Sequence, residues 1–380
     1  MRIGFDYSAA AISSERTGIG NYASRLMRAL LKIDCENQYV LYPVLSNFRL
    51  HSIGDFPEAR NLEVAFKTAL PKLLWFYGGM TRFGEYLLGN VDVVHSTAFW
   101  APRFRSRKKR LVVTIYDLTV FTHPECHTKE TLKGATRGIN DAIRHADAII
   151  AISNHTKDDL MNHLKAPEGL ITVTPLAAGP DYRLIEDGRI LAAVMDRYGL
   201  PSKYILFVGS LEPRKNVRSL LKAYSNLPER LKKEFFLVIA GARGWLNSDI
   251  PLIVSDLKIE DRVRFTGYIA GEDIAAVYSQ ATVFTYPSLY EGFGLPVLEA
   301  MSCGAPVITS NTSSMPEVAG DAARLISPAD VDELTWALEY VLENEDARND
   351  MRLKGLRRAA GFSWEKCARE TLEVYRKAAG

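Results

Sequence analysis

The chain has 380 residues, of which 47% are hydrophobic and 24% are charged. This length and composition exclude a disordered chain and predict more than one domain with a core of its own. The net charge of +2 excludes a strongly basic protein, and we expect no nucleic-acid partner. Charge is uneven, because residues 1–180 hold 22 Lys and Arg against 17 Asp and Glu, whereas the remaining residues hold 25 against 28.

Cysteine spacing and hydropathy predict a cytoplasmic protein. No two of the four cysteines form a C-x-x-C pair, so we expect reduced thiols rather than a metal or redox site. No apolar run approaches the length of a membrane span. Residues 1–8 are typical of a strand rather than of a signal peptide. The cysteines are Cys35, Cys126, Cys303 and Cys367.

Short apolar runs alternate with amphipathic stretches along the first half of the chain. Helical periodicity is present at 20–33 and 129–145. The apolar runs are typical of strands that are buried on both faces of a parallel sheet. They predict strands at 2–7, 91–96, 110–117, 146–153 and 170–176.

The second half repeats this alternation. Helices are predicted near 215–227, 249–258 and 270–280. The pattern indicates an α/β chain with two Rossmann-like, doubly wound domains in series. The strands predicted in this half are 204–210, 235–241, 262–268, 281–288 and 305–310.

Turn residues mark the boundary between the two halves. Residues 177–200 carry turn chemistry without a strand pattern, which indicates a hinge. The end of the chain is an amphipathic helix with Ser363 as its N-cap. The predicted parts are a first domain at 1–180, a hinge at 181–200, a second domain at 201–362 and the helix at 363–380.

The stretch EGFGLPVLEA places two carboxylates, Glu291 and Glu299, on either side of a glycine-rich bend. Pro296 suits the first turn of a helix and Gly304 suits a helix C-terminus. Glu291 is therefore predicted on a loop and Glu299 on a helix. Eight residues of one straight helix would separate them by about 12 Å, beyond the roughly 5–9.5 Å of a hydrolase carboxylate pair. With the bend, both side chains would line one pocket.

An anion site is predicted beside these carboxylates. The backbone N–H groups at the start of the helix, in Phe293, Gly294 and Leu295, would suit a phosphate. Arg214 and Lys215 in GSLEPRKNV follow a predicted strand and would reach a diphosphate from the other side. A solvated helix start explains the two cations as well, and turn geometry explains the glycines.

These motifs resemble those of a known enzyme family. EGFGLPVLEA resembles the E-x7-E signature of retaining family 4 glycosyltransferases, which have the two-domain GT-B fold. GSLEPRKNV, FTGYI and FSWEKCARE resemble the same family in order and spacing, and the resemblance covers nearly the whole chain. GARGW at 241–245 is most similar to bacterial mannosyltransferases of surface glycan synthesis. The resemblance implies two Rossmann-like domains facing across a cleft, with the C-terminal helix crossing back to the first.

The resemblance also implies a role for each motif residue. Glu299 would accept hydrogen bonds from the ribose of a nucleotide sugar, and Glu291 would lie at the transferred sugar. Arg214 and Lys215 would neutralise the leaving diphosphate. The glycine loop of the first domain would lie near the phosphates and the backbone at 267–268 near the base. The other implied donor-binding residues are Gly18, Gly20, Ser210, Gly267, Tyr268, Gly292, Phe293, Gly294 and Leu295.

Two departures from the family pattern affect the candidate residues. Ser210 stands where many relatives have arginine, so Arg214 would carry more of the phosphate charge. Thr97 stands where many relatives have a second histidine after His95. The candidates for a sugar-facing residue in the first domain are His95, Asp117 and His123, and a core role is an equal alternative for each.

The implied reaction is retaining transfer of a hexose, with mannose from GDP-mannose favoured, to a hydroxyl of a glycan or lipid-linked glycan. Alternatives are a glucosyl-, N-acetylglucosaminyl- or rhamnosyltransferase that uses a UDP- or other nucleotide sugar, and a nucleotide-sugar 2-epimerase. No metal or other cofactor is expected, because the D-x-D formed by Asp330 and Asp332 is better explained by a helix cap of Asp330 with Glu333.

Two segments of the first half would suit a lipid surface. Residues 72–88 are aromatic and apolar, and residues 103–110 hold six basic side chains in eight positions. They would face an anionic membrane, at the inner face of the cytoplasmic membrane. A buried helix followed by a solvated basic loop is the alternative interpretation.

Overall fold

A computed structural model describes residues 1–11, 18–42, 44–45, 56–65, 70–71, 90–98, 109–241 and 249–380. The chain divides into two compact units: one holds Met1–Leu176 and Ser363–Gly380, and the other holds Ala177–Phe362. Residues 72–88, most of 103–110 and 242–245, on which three sequence interpretations rest, lie outside the described residues.

The described part of the first unit contains a seven-stranded parallel sheet in the order β4-β2-β1-β6-β7-β8-β9. Its central strands are buried along most of their length, as expected for a sheet covered on both faces. Two short strands, β3 and β5, pair separately. The strands are β1 Arg2–Asp6, β2 Gln38–Tyr42, β3 Val44–Leu45, β4 Leu62–Val64, β5 Leu70–Pro71, β6 Val93–Ser96, β7 Arg110–Ile115, β8 Ala148–Ala151 and β9 Ile171–Val173.

Helices connect these strands. In α2, Tyr22, Leu26 and Leu30 recur at helical spacing and are buried. Thr128 caps α4 by accepting a hydrogen bond from the Thr131 N–H group. The helices before residue 177 are α1 Ser8–Ala11, α2 Gly18–Ile33, α3 Thr119–Thr122, α4 Lys129–His145 and α5 Asn154–Leu164, with short 3-10 helices at Pro124–Cys126 and Glu168–Leu170.

The second unit contains a six-stranded parallel sheet in the order β12-β11-β10-β13-β14-β15. The chain adds β11 and β12 on one side of β10 and then β13 to β15 on the other. The strand order therefore reverses between β10 and β13, where ligands of such sheets bind. The strands are β10 Tyr204–Val208, β11 Phe236–Ala240, β12 Val263–Gly267, β13 Val283–Tyr286, β14 Val307–Ser310 and β15 Ala323–Ile326.

Both faces of this sheet are flanked by helices, and their bounds follow. They are α6 Gly188–Arg197, α7 Val217–Asn226, α8 Glu229–Glu234, α9 Ile250–Asp256, α10 Ile274–Gln280, α11 Leu295–Ser302, α12 Met315–Ala319, α13 Val331–Glu343 and α14 Glu345–Ala360. Short 3-10 helices lie at Pro213–Lys215 and Glu260–Arg262.

The C-terminal helix, α15 Trp364–Ala379, belongs to the first unit. The Ser363 side chain accepts from the Lys366 N–H group, so the predicted N-cap is confirmed. Trp364 packs edge-on against Tyr22 of α2, and the Tyr375 hydroxyl reaches His95 at 2.6 Å. The helix is thus held by both apolar packing and a buried hydrogen bond.

The predicted fold class, α/β with two Rossmann-like parallel sheets, is confirmed. All ten predicted strands are present, each shorter than its apolar run by one to four residues. Five described strands were not predicted, namely β2, β3, β4, β5 and β15. The segment read as a hinge contains the ten-residue helix α6, capped by Asp187. This helix was not predicted, because turn residues precede it and because Val194 is its only buried residue.

Candidate active site

The candidate site lies at the carboxyl edge of the second sheet. The segment after β10 carries Arg214 and Lys215, and the segment after β13 carries Glu291. Because β10 and β13 are parallel neighbours, their carboxyl ends meet at the position where the strand order reverses. The sheet topology therefore brings these three side chains together across more than seventy residues of sequence.

Glu291 is held by cations on both carboxylate oxygens. Arg214 Nη1 lies 2.7 Å from Oε2, and Lys215 Nζ lies 2.6 Å from Oε1. Arg214 also donates to the Tyr290 carbonyl at 2.8 Å and lies 3.4 Å from Glu212 Oε2. Two cations and two carboxylates thus form a charge-balanced cluster with little exposed surface.

The charges in this cluster set the protonation of Glu291. Burial alone would raise the pKa of Glu291, but Arg214 and Lys215 outweigh it and lower that pKa to about 2. Burial and then the charge of Arg214 lower the pKa of Lys215, and Glu291 opposes that shift. The carboxylate is therefore ionised at neutral pH although only 7% of the residue is exposed to solvent.

Two side chains that were not predicted from the sequence also bind Glu291 Oε1. The Tyr286 hydroxyl donates to it at 3.0 Å and the Ser288 hydroxyl at 2.8 Å. Both residues follow Phe284 at alternate positions, and both are fully buried. Polar side chains at the carboxyl end of an apolar strand were the signal that could have found them.

The bend that follows Glu291 ends in helix α11, as predicted. Gly294 has φ of +102°, a backbone conformation that favours glycine, and a Cβ there would also displace the end of the Met315 side chain. Pro296 lies in the first turn and Gly304 follows the C-cap with φ of +74°. Glu291 is on the loop and Glu299 is in the second helical turn.

The start of α11 presents backbone donors. The N–H groups of Phe293, Gly294 and Leu295 donate no hydrogen bond to the residues that the structure describes. Gly292 and Phe293 are buried, whereas Leu295 is half-buried. Glu299 lies half-buried near Tyr278 and Cys303; burial raises the pKa of both groups, and the Glu299 charge adds to that shift.

Glycines line the same edge of the sheet. A Cβ on Gly241 would lie 2.1 Å from the Gly209 carbonyl oxygen, so the ends of β10 and β11 approach more closely than a side chain permits. Next along the edge, Gly267 has φ of +69° and Tyr268 is 66% exposed. The Ser210 hydroxyl donates to Glu212 at 2.5 Å, so Ser210 contacts the cluster through Glu212.

The candidates from the first unit are placed differently. His95 is fully buried, with Nδ1 at 2.6 Å from the Tyr375 hydroxyl and Nε2 at 2.7 Å from the Thr114 hydroxyl. Burial lowers the pKa of His95 to about 3, so the ring is neutral. Both ring nitrogens are engaged inside the first unit, and this placement favours the core role over a sugar-facing one.

The remaining first-unit candidates lie near helix starts. Gly18 and Gly20 lie in the first turn of α2, not in a loop before it, and a Cβ on Gly20 would lie 2.6 Å from the Ala9 carbonyl oxygen. Asp117 is half-buried and accepts from the Thr119 N–H and hydroxyl groups. His123 Nδ1 lies 3.0 Å from the Thr122 hydroxyl. All four residues belong to the first unit, whereas the Glu291 cluster belongs to the second.

Among the residues that the structure describes, no group of three or more His, Cys, Asp or Glu side chains could hold a metal ion. Asp330 caps α13 by accepting from the Glu333 N–H group at 2.9 Å, as predicted. The Glu333 carboxylate binds the Ser327 N–H group instead of Asp330. No described helix has both the length and the hydropathy to span a membrane.

Two Rossmann-like parallel sheets, with an Arg–Lys–Glu cluster at the switch point of the second, define the chain as an α/β protein of the GT-B fold class. The structure of sucrose-phosphate synthase from Thermosynechococcus elongatus superposes with a TM-score of 0.76, covering 99% of this chain and 98% of that one. The two sequences are 20% identical, so the likeness is one of fold.

Sequence comparison identifies the family. Residues 197–358 match Glycosyl transferases group 1, and residues 16–178 match Glycosyltransferase Family 4. O-antigen chain mannosyltransferase B of Escherichia coli is 36% identical over 285 residues, 75% of this chain and 74% of that protein. The serotype-specific mannosyltransferase WbdA of Escherichia coli is 33% identical over 60% of this chain, which spans 29% of WbdA. The chain belongs to the family 4 glycosyltransferases.

Proposed function

We propose that this glycosyltransferase transfers mannose from GDP-mannose, with retention, to a hydroxyl of a glycan or lipid-linked glycan. The Arg214–Lys215–Glu291 cluster carries the proposal, since it joins two cations and a carboxylate at the ligand-binding edge of the sheet. Two of the relatives that it resembles are mannosyltransferases by name. The choice of mannose rests on those relatives.

The charges that develop during sugar transfer indicate which groups the cluster would stabilise. As the bond to the sugar breaks, the diphosphate gains negative charge and the sugar gains positive charge. Arg214, Lys215 and the N–H groups at the start of α11 would stabilise the diphosphate. The half-buried Glu299 would accept hydrogen bonds from the ribose.

Glu291 has capacity left for a sugar hydroxyl. Its Oε1 already accepts from Lys215, Tyr286 and Ser288, whereas Oε2 accepts from Arg214 alone among the described residues. A carboxylate oxygen has two lone pairs. A sugar hydroxyl would therefore donate to Oε2, on the side where the Arg214 guanidinium also lies. This arrangement would place the sugar next to the cation that meets its leaving group.

A donor panel with and without acceptor tests the reaction. We expect GDP-mannose to be consumed only when a mannan or lipid-linked glycan acceptor is present. Faster use of a UDP-sugar would favour the glucosyl-, N-acetylglucosaminyl- or rhamnosyltransferase alternatives. Conversion of the donor without acceptor would favour a 2-epimerase. Glu291→Ala should abolish most turnover while GDP still binds, and unchanged turnover would refute its assigned role.

We propose that no metal ion is required. Arg214 and Lys215 supply two positive charges where the diphosphate would bind, the role that a divalent cation has in other transferases. Treatment with EDTA should leave turnover within twofold of the untreated enzyme. A loss that added Mg²⁺ or Mn²⁺ restores would contradict the proposal.

We further propose that the enzyme works in the cytoplasm, in peripheral contact with an anionic membrane at its inner face. Basic side chains recur every fourth residue on α4 in the first unit, beside apolar ones, and together they line a groove of about 560 Å³. Cations beside apolar surface favour an anionic lipid layer. The lining residues are Val120, Pro124, Lys129, Leu132, Lys133, Thr136 and Arg137.

Liposome flotation tests this contact. Replacing Lys129, Lys133 and Arg137 with Gln should reduce binding to phosphatidylglycerol vesicles at least fivefold, because each cation near an anionic surface contributes about 1 kcal/mol. A control variant with Gln at the exposed Lys222, Lys233 and Lys377 should bind as the wild type does. Equal loss in both variants, or binding that salt does not weaken, would contradict the assigned surface.

A further inference from the structure

Tyr286, the last residue of β13, is fully buried at the bottom of the Glu291 cluster. Its ring is nearly parallel to Phe207 and Phe284, with centroids 5.7 and 5.8 Å away. Its backbone carbonyl accepts from the Thr309 hydroxyl at 2.9 Å. Packing and backbone contacts thus fix the ring without help from its hydroxyl group.

The Tyr286 hydroxyl joins the cation to the carboxylate. It accepts from Lys215 Nζ at 2.5 Å and donates to Glu291 Oε1 at 3.0 Å. Lys215 Nζ also donates to Glu291 Oε1 at 2.6 Å, which closes a triangle of three polar atoms. A phenol can donate and accept at once, so both contacts of the hydroxyl are satisfied together.

The triangle fixes the direction of the remaining donor of Lys215. An ammonium group has three N–H donors. Two of them go to Tyr286 and Glu291, and no described residue takes the third. Lys215 Nζ also lies 5.1 Å from the centroid of the Tyr286 ring, which adds a cation–π contact. Holding two donors of a tetrahedral group sets where the third one points.

We propose that Tyr286 is a positioning residue for sugar transfer, whose hydroxyl aims the third N–H group of Lys215 at the leaving diphosphate. The inference rests on the proposed function, since it needs Lys215 to act on a diphosphate. Without the hydroxyl, the ammonium keeps Glu291 as its one fixed partner and can swing about that contact. Such misdirection costs transition-state stabilisation while it leaves ground-state binding largely intact.

A change in pH dependence accompanies this role. The groups that face Lys215 are Arg214 and Glu212 from its own segment, Glu291 from the loop after β13, and Tyr286. Removing the tyrosine oxygen removes an acceptor that stabilises the protonated amine, so Lys215 would lose its proton at a lower pH. The basic limb of the kcat profile therefore moves to lower pH.

Tyr286→Phe removes the hydroxyl and keeps the stacked ring. Tyr278→Phe is the matched control, because Tyr278 is also fully buried, packs on Phe284, and its hydroxyl has no hydrogen-bond partner among the described residues. We expect kcat to fall about 10- to 100-fold in Tyr286→Phe with donor KM within threefold of wild type. Tyr278→Phe should keep kcat within twofold.

The measurement uses whichever nucleotide sugar the wild-type chain turns over. Inactivity toward GDP-mannose beside activity with another donor would refute the proposed donor alone, and Tyr286 would still be tested. A Tyr286→Phe enzyme with wild-type kcat and an unmoved basic limb would overturn the positioning role. Equal loss of kcat in both variants would also overturn it, because it would indicate general core damage. No turnover with any donor would overturn both proposals.

Discussion

His95 in the first unit and Glu291 in the second are both buried and both have a low pKa, but His95 is neutral whereas Glu291 is ionised. Burial alone lowers the pKa of His95 to about 3, and a base with a low pKa is neutral at pH 7. Arg214 and Lys215 lower the pKa of Glu291 to about 2 against the effect of burial, and an acid with a low pKa is charged. His95 is stabilised as part of a neutral core, whereas Glu291 keeps a buried charge that its neighbours must balance. A buried charge of this kind is the stronger indicator of function.

The largest effect is expected from Lys215→Met, which removes one cation of the Glu291 pair. Loss of a charge that meets the diphosphate should lower kcat about 1,000-fold. Steady-state assays with donor and acceptor measure it, and circular dichroism verifies folding, because breaking a buried ion pair also destabilises. Lys222→Met, at an exposed position of α7, is the control and should keep wild-type kcat. A tenfold loss or less in Lys215→Met would remove the cluster from the mechanism.

The charge of Glu291 should make folding stability depend on acid. Its pKa in the folded state is about 2 and its ordinary value is 4.5, so its contribution is present above pH 4.5 and is lost as pH falls towards 2. That contribution is on the order of 3 kcal/mol. Urea unfolding at pH 5 and pH 3 measures the drop in the free energy of unfolding. Glu291→Gln should lack this component, and an equal drop in both proteins would assign the acid effect elsewhere.

Tyr375→Phe tests the neutral member of the comparison. It leaves His95 Nδ1 buried without its 2.6 Å partner, which should lower the free energy of unfolding by about 1–3 kcal/mol. Turnover at a temperature where the variant is folded should stay within twofold of wild type. Thermal and chemical unfolding give the first value and steady-state kinetics the second. A tenfold loss of kcat without loss of stability would return His95 to the list of catalytic candidates.

The smallest effect is expected from Ser288→Ala. The Ser288 hydroxyl is one of four side-chain donors to Glu291. Its single proton also has the Arg214 and Tyr290 carbonyl oxygens as alternative acceptors. Its loss should lower kcat about fivefold, which corresponds to a hydrogen bond worth about 1 kcal/mol. Kinetic assays beside Ser225→Ala, which removes a half-buried hydroxyl that donates to the Lys222 carbonyl in α7, would resolve it. A loss above 100-fold would mean that Ser288 touches the substrate.

Local patterns predicted the elements that are apolar and bounded by turn residues. Strands β10 and β13 and the bend at Gly294 follow directly from sequence, because burial on both faces and a positive φ leave few residue choices. Edge strand β15 has four residues, of which only Ile326 is buried, so its apolar pattern is too short to distinguish from a loop. Helix α6, inside the predicted hinge, was missed for a similar reason, because it buries little apolar surface.

The charged members of the candidate site were predictable from the sequence, whereas their direct pairing was not. Motif reasoning selected Arg214, Lys215 and Glu291, and assigned cations and carboxylate to different parts of a substrate. Their direct contact depends on the adjacency of β10 and β13, which the order of strands along the chain does not state. The contacts of Tyr286 and Ser288 with Glu291 likewise became visible only in the structure. The placement of His95 likewise needed α15, which follows it by more than 260 residues.

The division of the chain has a consequence for its synthesis. The first unit takes its last helix, Ser363–Gly380, from beyond the end of the second unit. A ribosome therefore translates all of Ala177–Phe362 before it reaches Tyr375, whose hydroxyl contacts His95 Nδ1. The second unit, with the Glu291 cluster, is the first to have its whole sequence available, whereas the sheet of the first must wait with a face of α2 uncovered. Nascent-chain proteolysis should show protection of the later segment before the earlier one.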